Sequence, residues 1–256
     1  MNLRLDLAYD GAPFHGFAKQ PDVRTVQGDL EAALEKLFGS PVLTFGAGRT
    51  DAGVHARAQV VGVPDAPDDA DLVKVRDALN AMCRPAIAVG DCHAMPDGWH
   101  ARFSARSRTY VYAVLQSDVP DPFLAGTTLF HPEPLEVAAM QEAAGHLTGE
   151  HDFSSFGRVP EPAAPATRTL FELTVERDGQ IVRITARANS FIQQMVRSLV
   201  GTLVQVGEGR RSPAELPSVL ATQDRAAAGP VAPPHGLCLV AVEYDDGWST
   251  PFDLPK

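Results

Sequence analysis

A chain of 256 residues, 45% hydrophobic and 21% charged, is long enough for one large or two modest cores and too apolar to stay disordered. Its net charge of −10 argues against a general polyanion binder. No apolar run nears the roughly 18 residues of a membrane span, and Met1-Asn2-Leu3-Arg4-Leu5-Asp6 is not an export signal. Cys83, Cys92 and Cys238 are odd in number and form no CxxC pair, so they read as free thiols in a reducing cytoplasm. The positive charge is unevenly spread. Residues 98–117 hold Arg102, Arg106 and Arg108 without an acid, and residues 179–207 hold Arg183, Arg187 and Arg197 without one, which leaves room for a basic face on an acidic body.

Leu3, Leu5, Leu7 and Tyr9 alternate with polar or small residues, the pattern of a half-buried strand. Residues 10–17 break it with two Gly and a Pro, in a loop that either exposes its aromatics and His15 to a ligand or is a turn whose Phe residues tuck into the core. Thr25 caps a helix over 26–38, with Val26, Leu30, Ala33, Leu34 and Leu37 on one face and Gly39 ending it. Strands are predicted at 41–45 and 58–63, a second helix at 69–82 and a strand at 87–95. The order is β-α-β-β-α-β, a ferredoxin-like unit.

It then repeats. A strand at 106–115 carries Tyr110 and Tyr112 on one face, a helix follows at 135–147, and strands at 170–176 and 180–186 flank Asp178-Gly179, a hairpin signal. Helices at 191–206 and 213–221 and a strand at 237–244 complete the set. The fold class is therefore α+β: two ferredoxin-like lobes, 1–105 and 106–256, forming a two-lobed antiparallel or mixed sheet with a central cleft. The Pro- and Ala-rich stretches at 157–167 and 226–234 read as surface excursions.

Between the strands at 41–45 and 58–63 lies Gly46-Ala47-Gly48-Arg49-Thr50-Asp51-Ala52-Gly53-Val54-His55. Glycines let such a loop turn tightly and let another molecule approach. In extended chain Arg49 and Asp51 point to the same face, and an Arg near an Asp keeps the carboxylate ionised, as a base or nucleophile requires. His, Cys and carboxylates are too scattered for a zinc site. There is neither a phosphate-binding GxxxxGK[ST] loop nor a GxSxG elbow. Arg106-Ser107-Arg108-Thr109-Tyr110 would serve as a cationic stacking strand for a nucleobase. A non-catalytic RNA-binding protein and a small-molecule hydrolase using Asp51 and His55 are the alternatives.

Residues 48–56, Gly-Arg-Thr-Asp-Ala-Gly-Val-His-Ala, resemble the catalytic motif of the TruA-type tRNA pseudouridine synthases. Tyr9-Asp10-Gly11, Phe14-His15-Gly16, Thr25-Val26-Gln27, Arg108-Thr109-Tyr110, residues 149–153, Phe191 with Met195-Val196-Arg197, and Gly236-Leu237 are similar to further signatures of that family, in the same order. The resemblance implies a cytoplasmic, cofactor-free and metal-free isomerase. It would make pseudouridine at positions 38, 39 and 40 of the tRNA anticodon stem-loop, as a homodimer with no membrane association. It implies that Asp51 is the catalytic carboxylate, that Tyr110 packs on the flipped base, that Arg197 pairs with Asp51, that Leu237 lines the pocket and that Arg49 holds the base out. His15, Arg106 and Arg108 are the candidate RNA contacts. Phe17 stands where the family often has Trp, and Gln193-Gln194 replace a more usual His or Tyr.

Overall fold

The computed structural model describes residues 1–158, 165–245 and 247–249. It is an α+β protein of two compact units, Met1–Arg108 with Cys238–Lys256, and Thr109–Leu237. The Pro- and Ala-rich stretch at 157–167 falls largely on residues 159–164, outside those described.

The first unit opens with β1 (Asn2–Tyr9), α1 (Val26–Phe38), β2 (Phe45–Gly46), β3 (His55–Val63), α2 (Leu72–Cys83) and β4 (Ile87–Met95), the β-α-β-β-α-β order read from the pattern. β1 lies between β3 and β4 and is antiparallel to both. Alternation predicts one wet face for β1, yet residues 3–7 are all buried. Arg4 and Asp6 make this possible. Arg4 donates to both oxygens of Asp6, at 2.8 and 3.3 Å, and its guanidinium lies 5.0 Å from the Tyr244 ring centre. Residues two apart on a strand share a face, so the two charges compensate each other where neither reaches water.

Thr25 caps α1 by accepting from the Gly28 amide, and Gly39 closes it at φ 73°. The strand expected at 41–45 shrinks to the two residues of β2. The cause is Glu31, a buried carboxylate on α1 that accepts from the Thr44 amide (3.0 Å), the Thr44 hydroxyl (3.1 Å), Gln27 (3.1 Å) and Lys19 (2.9 Å). The chain entering β2 is thus tied to a helix side chain instead of a strand ladder.

The second unit contains β5 (Ser107–Gln116, its first two residues counted with the first unit), β6 (Leu129–His131), α3 (Val137–Gly145), β7 (Gly149–Asp152), β8 (Thr167–Asp178), β9 (Ile181–Ala188), α4 (Met195–Gly207) and α5 (Leu216–Thr222). Its strands run in the order β5-β9-β8-β7, with β6 parallel to β5. The β8–β9 hairpin turns at Asp178-Gly179, with Gly179 at φ 58°. β6 and β7, of three and four residues, are too short to leave a periodic signal. α4 starts at Met195 because Gln194 sits at φ 64°, which ends any regular helix before it.

Residues 226–234 are not a surface excursion but lie against α4. The Gly229 amide donates to the Thr202 hydroxyl at 2.8 Å, the Ala232 amide donates to the Arg197 carbonyl at 3.0 Å, and Ala232 is buried. The approach is so close that a Cβ on Gly201 would lie 1.8 Å from the Pro230 carbonyl oxygen.

The chain ends in β10 (Leu237–Tyr244) and β11 (Gly247–Ser249). β10 runs parallel to the first residues of β3, where Cys238 faces His55, while β2 pairs antiparallel with its later part, where Phe45 faces Gly62. Opposite β1, one edge of β3 is therefore divided between two short partners, and the Arg49–Asp51 loop leaves and rejoins that edge. Among the described residues no helix is long and apolar enough to cross a membrane.

Candidate active site

Residues 47–54 connect β2 to β3 and are held along their length. The Ala47 amide donates to the Val60 carbonyl at 2.7 Å, and the Ala47 carbonyl accepts from Arg108 Nη2 (2.7 Å) and Nε (3.1 Å). Gln59 donates to the Gly48 carbonyl at 2.9 Å. The Thr50 hydroxyl shares a 2.8 Å hydrogen bond with Tyr9, and the Thr50 carbonyl accepts from the Phe17 amide at 3.1 Å. Gly53, at φ 78°, donates to the Phe14 carbonyl at 3.3 Å, and the Val54 amide closes a turn on the Asp51 carbonyl at 3.1 Å. The Thr50 side chain is turned inward, while Arg49 is exposed and Asp51 half-buried.

Beneath the loop is a polar cluster in an apolar core. Tyr9 and Gln59 are buried, and Gln59 also reaches Tyr9 at 3.4 Å. Burial pushes the Tyr9 phenol far above its ordinary value, and the hydrogen bonds with Thr50 and Gln59 offset only part of that. The phenol is therefore a neutral, fixed hydrogen-bonding group at any working pH. Buried polar groups are tolerated when satisfied, and here the loop supplies two of the partners, the Thr50 hydroxyl and the Gly48 carbonyl. Gln59 was legible as a polar residue inside the apolar run 58–63. By periodicity Tyr9 reads as one more member of the first strand's stripe, and only the Tyr9-Asp10-Gly11 signature sets it apart.

Around the loop, Phe14 and Phe17 are buried at 3% and 2% exposure, so residues 10–17 do not present aromatics, although His15 is exposed. The Phe17 ring sits where a Cβ on Gly46 would be, 2.5 Å from that position. His55 Nδ1 accepts from the Gly11 amide at 3.1 Å. Arg108 is buried and donates to the carbonyls of Ala47, Arg102 and Ala105. Arg106 is exposed and makes a two-pronged pair with Asp245 at 2.8 and 2.9 Å, whose hydrogen bonds hold the Asp245 carboxyl below the usual carboxylate range. Arg183 and Arg187 likewise meet Asp178 and Glu172, so acid-free stretches of sequence find acids elsewhere in the fold.

In the second unit, Tyr110 is buried with its ring edge-on to Phe191 at 5.3 Å. Arg197 and Ala232 are tied twice, by the amide already described and by Arg197 Nε donating to the Ala232 carbonyl at 2.7 Å. Tyr112 donates to the Pro233 carbonyl at 2.9 Å. Leu237 is buried directly after Gly236, where a Cβ would lie 2.6 Å from the Tyr112 ring. One docked segment thus sets both Arg197 and Leu237.

The profile of the tRNA pseudouridine synthases matches residues 7–104 and 143–245. The chain belongs to the tRNA pseudouridine synthase family. It is 44% identical to tRNA pseudouridine synthase A of Brevibacillus brevis over 242 residues, 94% of this chain and 99% of that one. It is 45% identical to the protein of that name from Bordetella petrii over 244 residues, 94% and 91% of the two chains. With that of Mesorhizobium japonicum it shares 44% over 247 residues, 94% and 98%. As a tRNA pseudouridine synthase the chain is an isomerase. The matched stretches take in Arg49, Asp51, Arg197 and Leu237, while Arg106, Arg108 and Tyr110 fall between them.

Proposed function

We propose that the protein converts uridine to pseudouridine at positions 38, 39 and 40 of the tRNA anticodon stem-loop, with Asp51 as its catalytic carboxylate. One observation carries this reading. In a chain of this family, the segment around Asp51 is anchored by hydrogen bonds at Ala47, Gly48 and Thr50 before it and at Gly53 after it, while Asp51 itself remains half-buried. A carboxylate fixed in this way can meet a sugar and a base in one defined geometry.

The reaction breaks the N1–C1′ bond, turns the uracil and joins C5 to C1′; the C5 proton leaves and N1 gains one. Atoms and oxidation state balance within the nucleoside, so the step calls for no cofactor. Asp51 acts by adding to C6, attacking C1′ or removing the 2′ proton, and each route needs the ionised carboxylate. Arg197 supplies the opposite charge that keeps it ionised. Tyr110 packs on the flipped base and takes the C5 proton, Leu237 lines the pocket, and Arg49 occupies the space the base has left. Flipping the uridine costs a few kcal/mol, offset by contacts to the RNA backbone in which the exposed His15 and Arg106 take part. Arg108, buried beneath the loop, is assigned to holding Ala47. The active form is a cytoplasmic homodimer.

Incubation with an unmodified tRNA transcript, followed by digestion to nucleosides and mapping of the modified positions, tests the reading. Pseudouridine at 38–40 with wild-type protein, and none with Asp51→Asn of unchanged melting temperature, is expected. Turnover by Asp51→Asn at a good fraction of the wild-type rate would make Asp51 structural.

A further inference from the structure

Three aromatic rings touch in succession near the strand that leads into the Arg49–Asp51 loop. Phe45, the residue that opens β2, is 44% exposed, and its ring centre is 5.1 Å from that of His100; His100 is 4.5 Å from Phe103, which is 78% exposed. The Arg102 guanidinium lies 5.8 Å from the Phe103 ring centre and has no acid within ion-pair reach among the described residues. A soluble protein gains nothing in stability by leaving a phenylalanine this exposed. Elsewhere in the chain Phe123 is more exposed still, at 93%, but among the described residues neither ring nor cation pairs with it.

The turn that carries His100 and Phe103 is held by its own hydrogen bonds. His100 Nδ1 accepts from the amides of Arg102 (3.1 Å) and Phe103 (3.4 Å), the His100 amide donates to the Ser104 hydroxyl (3.0 Å), and the Ser104 amide donates back to the His100 carbonyl (2.9 Å). Ala101 is buried, and its carbonyl accepts from Tyr244 at 2.6 Å. Through Arg108 the carbonyls of Arg102 and Ala105 are joined to that of Ala47, so the turn that carries the rings and the loop that carries Asp51 share one clamp.

We infer that Phe45, His100 and Phe103, with Arg102, form a stacking platform for an unpaired nucleobase of the RNA substrate, held at a fixed offset from the Asp51 loop. This rests on the reading of the protein as acting on RNA. Contacting rings, tilted by 42° and 36° from one to the next, with a cation over the outermost, offer ring faces to a base and charge to its phosphate, and a turn whose backbone is already fixed costs little entropy to engage. An RNA loop presents such unstacked bases, whereas a duplex does not.

Phe103 is exposed, so its replacement leaves the fold intact. With tRNA transcript, Phe103→Ala should raise KM about 5- to 150-fold, the range set by one lost base–aromatic stack, while kcat stays within about twofold of wild type. Phe103→Tyr should retain wild-type KM, and Phe103→Leu should behave like Phe103→Ala. A KM for Phe103→Ala within twofold of wild type overturns the platform, as does rescue by Leu equal to that by Tyr. A change in oligomeric state with unaltered KM would mark the rings as a protein contact instead. If the wild-type protein makes no pseudouridine, the functional reading fails on its own. The platform is then judged by Kd for a single-stranded RNA carrying 2-aminopurine, which Phe103→Ala must weaken, with loss of the stacking-induced quench, for the inference to stand.

Discussion

The phenol of Tyr9, at the end of the first strand, meets the hydroxyl of Thr50, the residue before Asp51, at 2.8 Å. Removing that oxygen leaves two buried partners, Thr50 and Gln59, short of a hydrogen bond, at a cost of about 1–3 kcal/mol. Tyr9→Phe should therefore lower the melting temperature, and because the lost bond positions the backbone at Asp51, kcat should fall about 10- to 100-fold while KM changes little. Thr50→Val should do the same and Thr50→Ser should not. Steady-state kinetics on the three variants decide it: lowered stability with unchanged kcat would make the cluster purely structural.

Arg108 and Arg106 are two residues apart and should respond in opposite ways. Lysine cannot span the three carbonyls that Arg108 holds, so Arg108→Lys should destabilise by a few kcal/mol, as buried acceptors go unpaired. It should leave the salt dependence of tRNA affinity unchanged. Arg106→Gln removes an exposed charge, so stability should hardly change, while the slope of log affinity against log salt should become shallower by about one contact. Denaturant titration and salt-dependent binding on both variants separate the roles, and a shallower slope for Arg108→Lys would return that residue to the RNA surface.

Much of this could be read from the sequence, because periodicity and punctuation are local. The β87–95 and β237–244 strands, the Thr25 cap and the Asp178-Gly179 turn all appear where the pattern places them. What escaped depends on partners far along the chain. β2 is short because Glu31 takes Thr44, Tyr9 and Gln59 converge on residues some forty and eleven positions away, and residues 226–234 look like a loop until α4 offers them hydrogen bonds. The Arg49–Asp51 turn was visible from composition and spacing; the frame that fixes it was not, since a buried Arg or Tyr carries the same letter as an exposed one.

Gly201 gives a way to disturb Arg197 and Leu237 without touching either. A Cβ there would overlap the Pro230 carbonyl oxygen at 1.8 Å, so Gly201→Ala must push residues 229–232 off α4. The Ala232 bonds to Arg197 would go with them. Activity should fall at least tenfold while secondary structure by circular dichroism is retained. The Ala variant working at the wild-type rate would show that the docked segment has no part in setting the site.

Alkaline pH should destabilise the protein through groups that have no catalytic task. Burial pushes the Cys92 and Cys238 thiols from their ordinary value of 9.0 up to about 11, and raises Cys83 as well. A raised value means that the folded chain keeps protons which the unfolded chain has already lost. The stabilisation is thus present in full below pH 9 and disappears as pH climbs toward 11. The melting temperature, measured by calorimetry, should fall more steeply above pH 9 than below it, and the Cys92→Ala, Cys238→Ala double variant should show a shallower fall over the same window. Because the thiolate is the nucleophile, native protein at pH 8 should also react with iodoacetamide more slowly than urea-unfolded protein does. A double variant whose stability declines as steeply as the wild type between pH 9 and 11 would place the alkaline loss elsewhere, with Tyr9 and Tyr112, whose phenols burial also raises, as the next groups to replace.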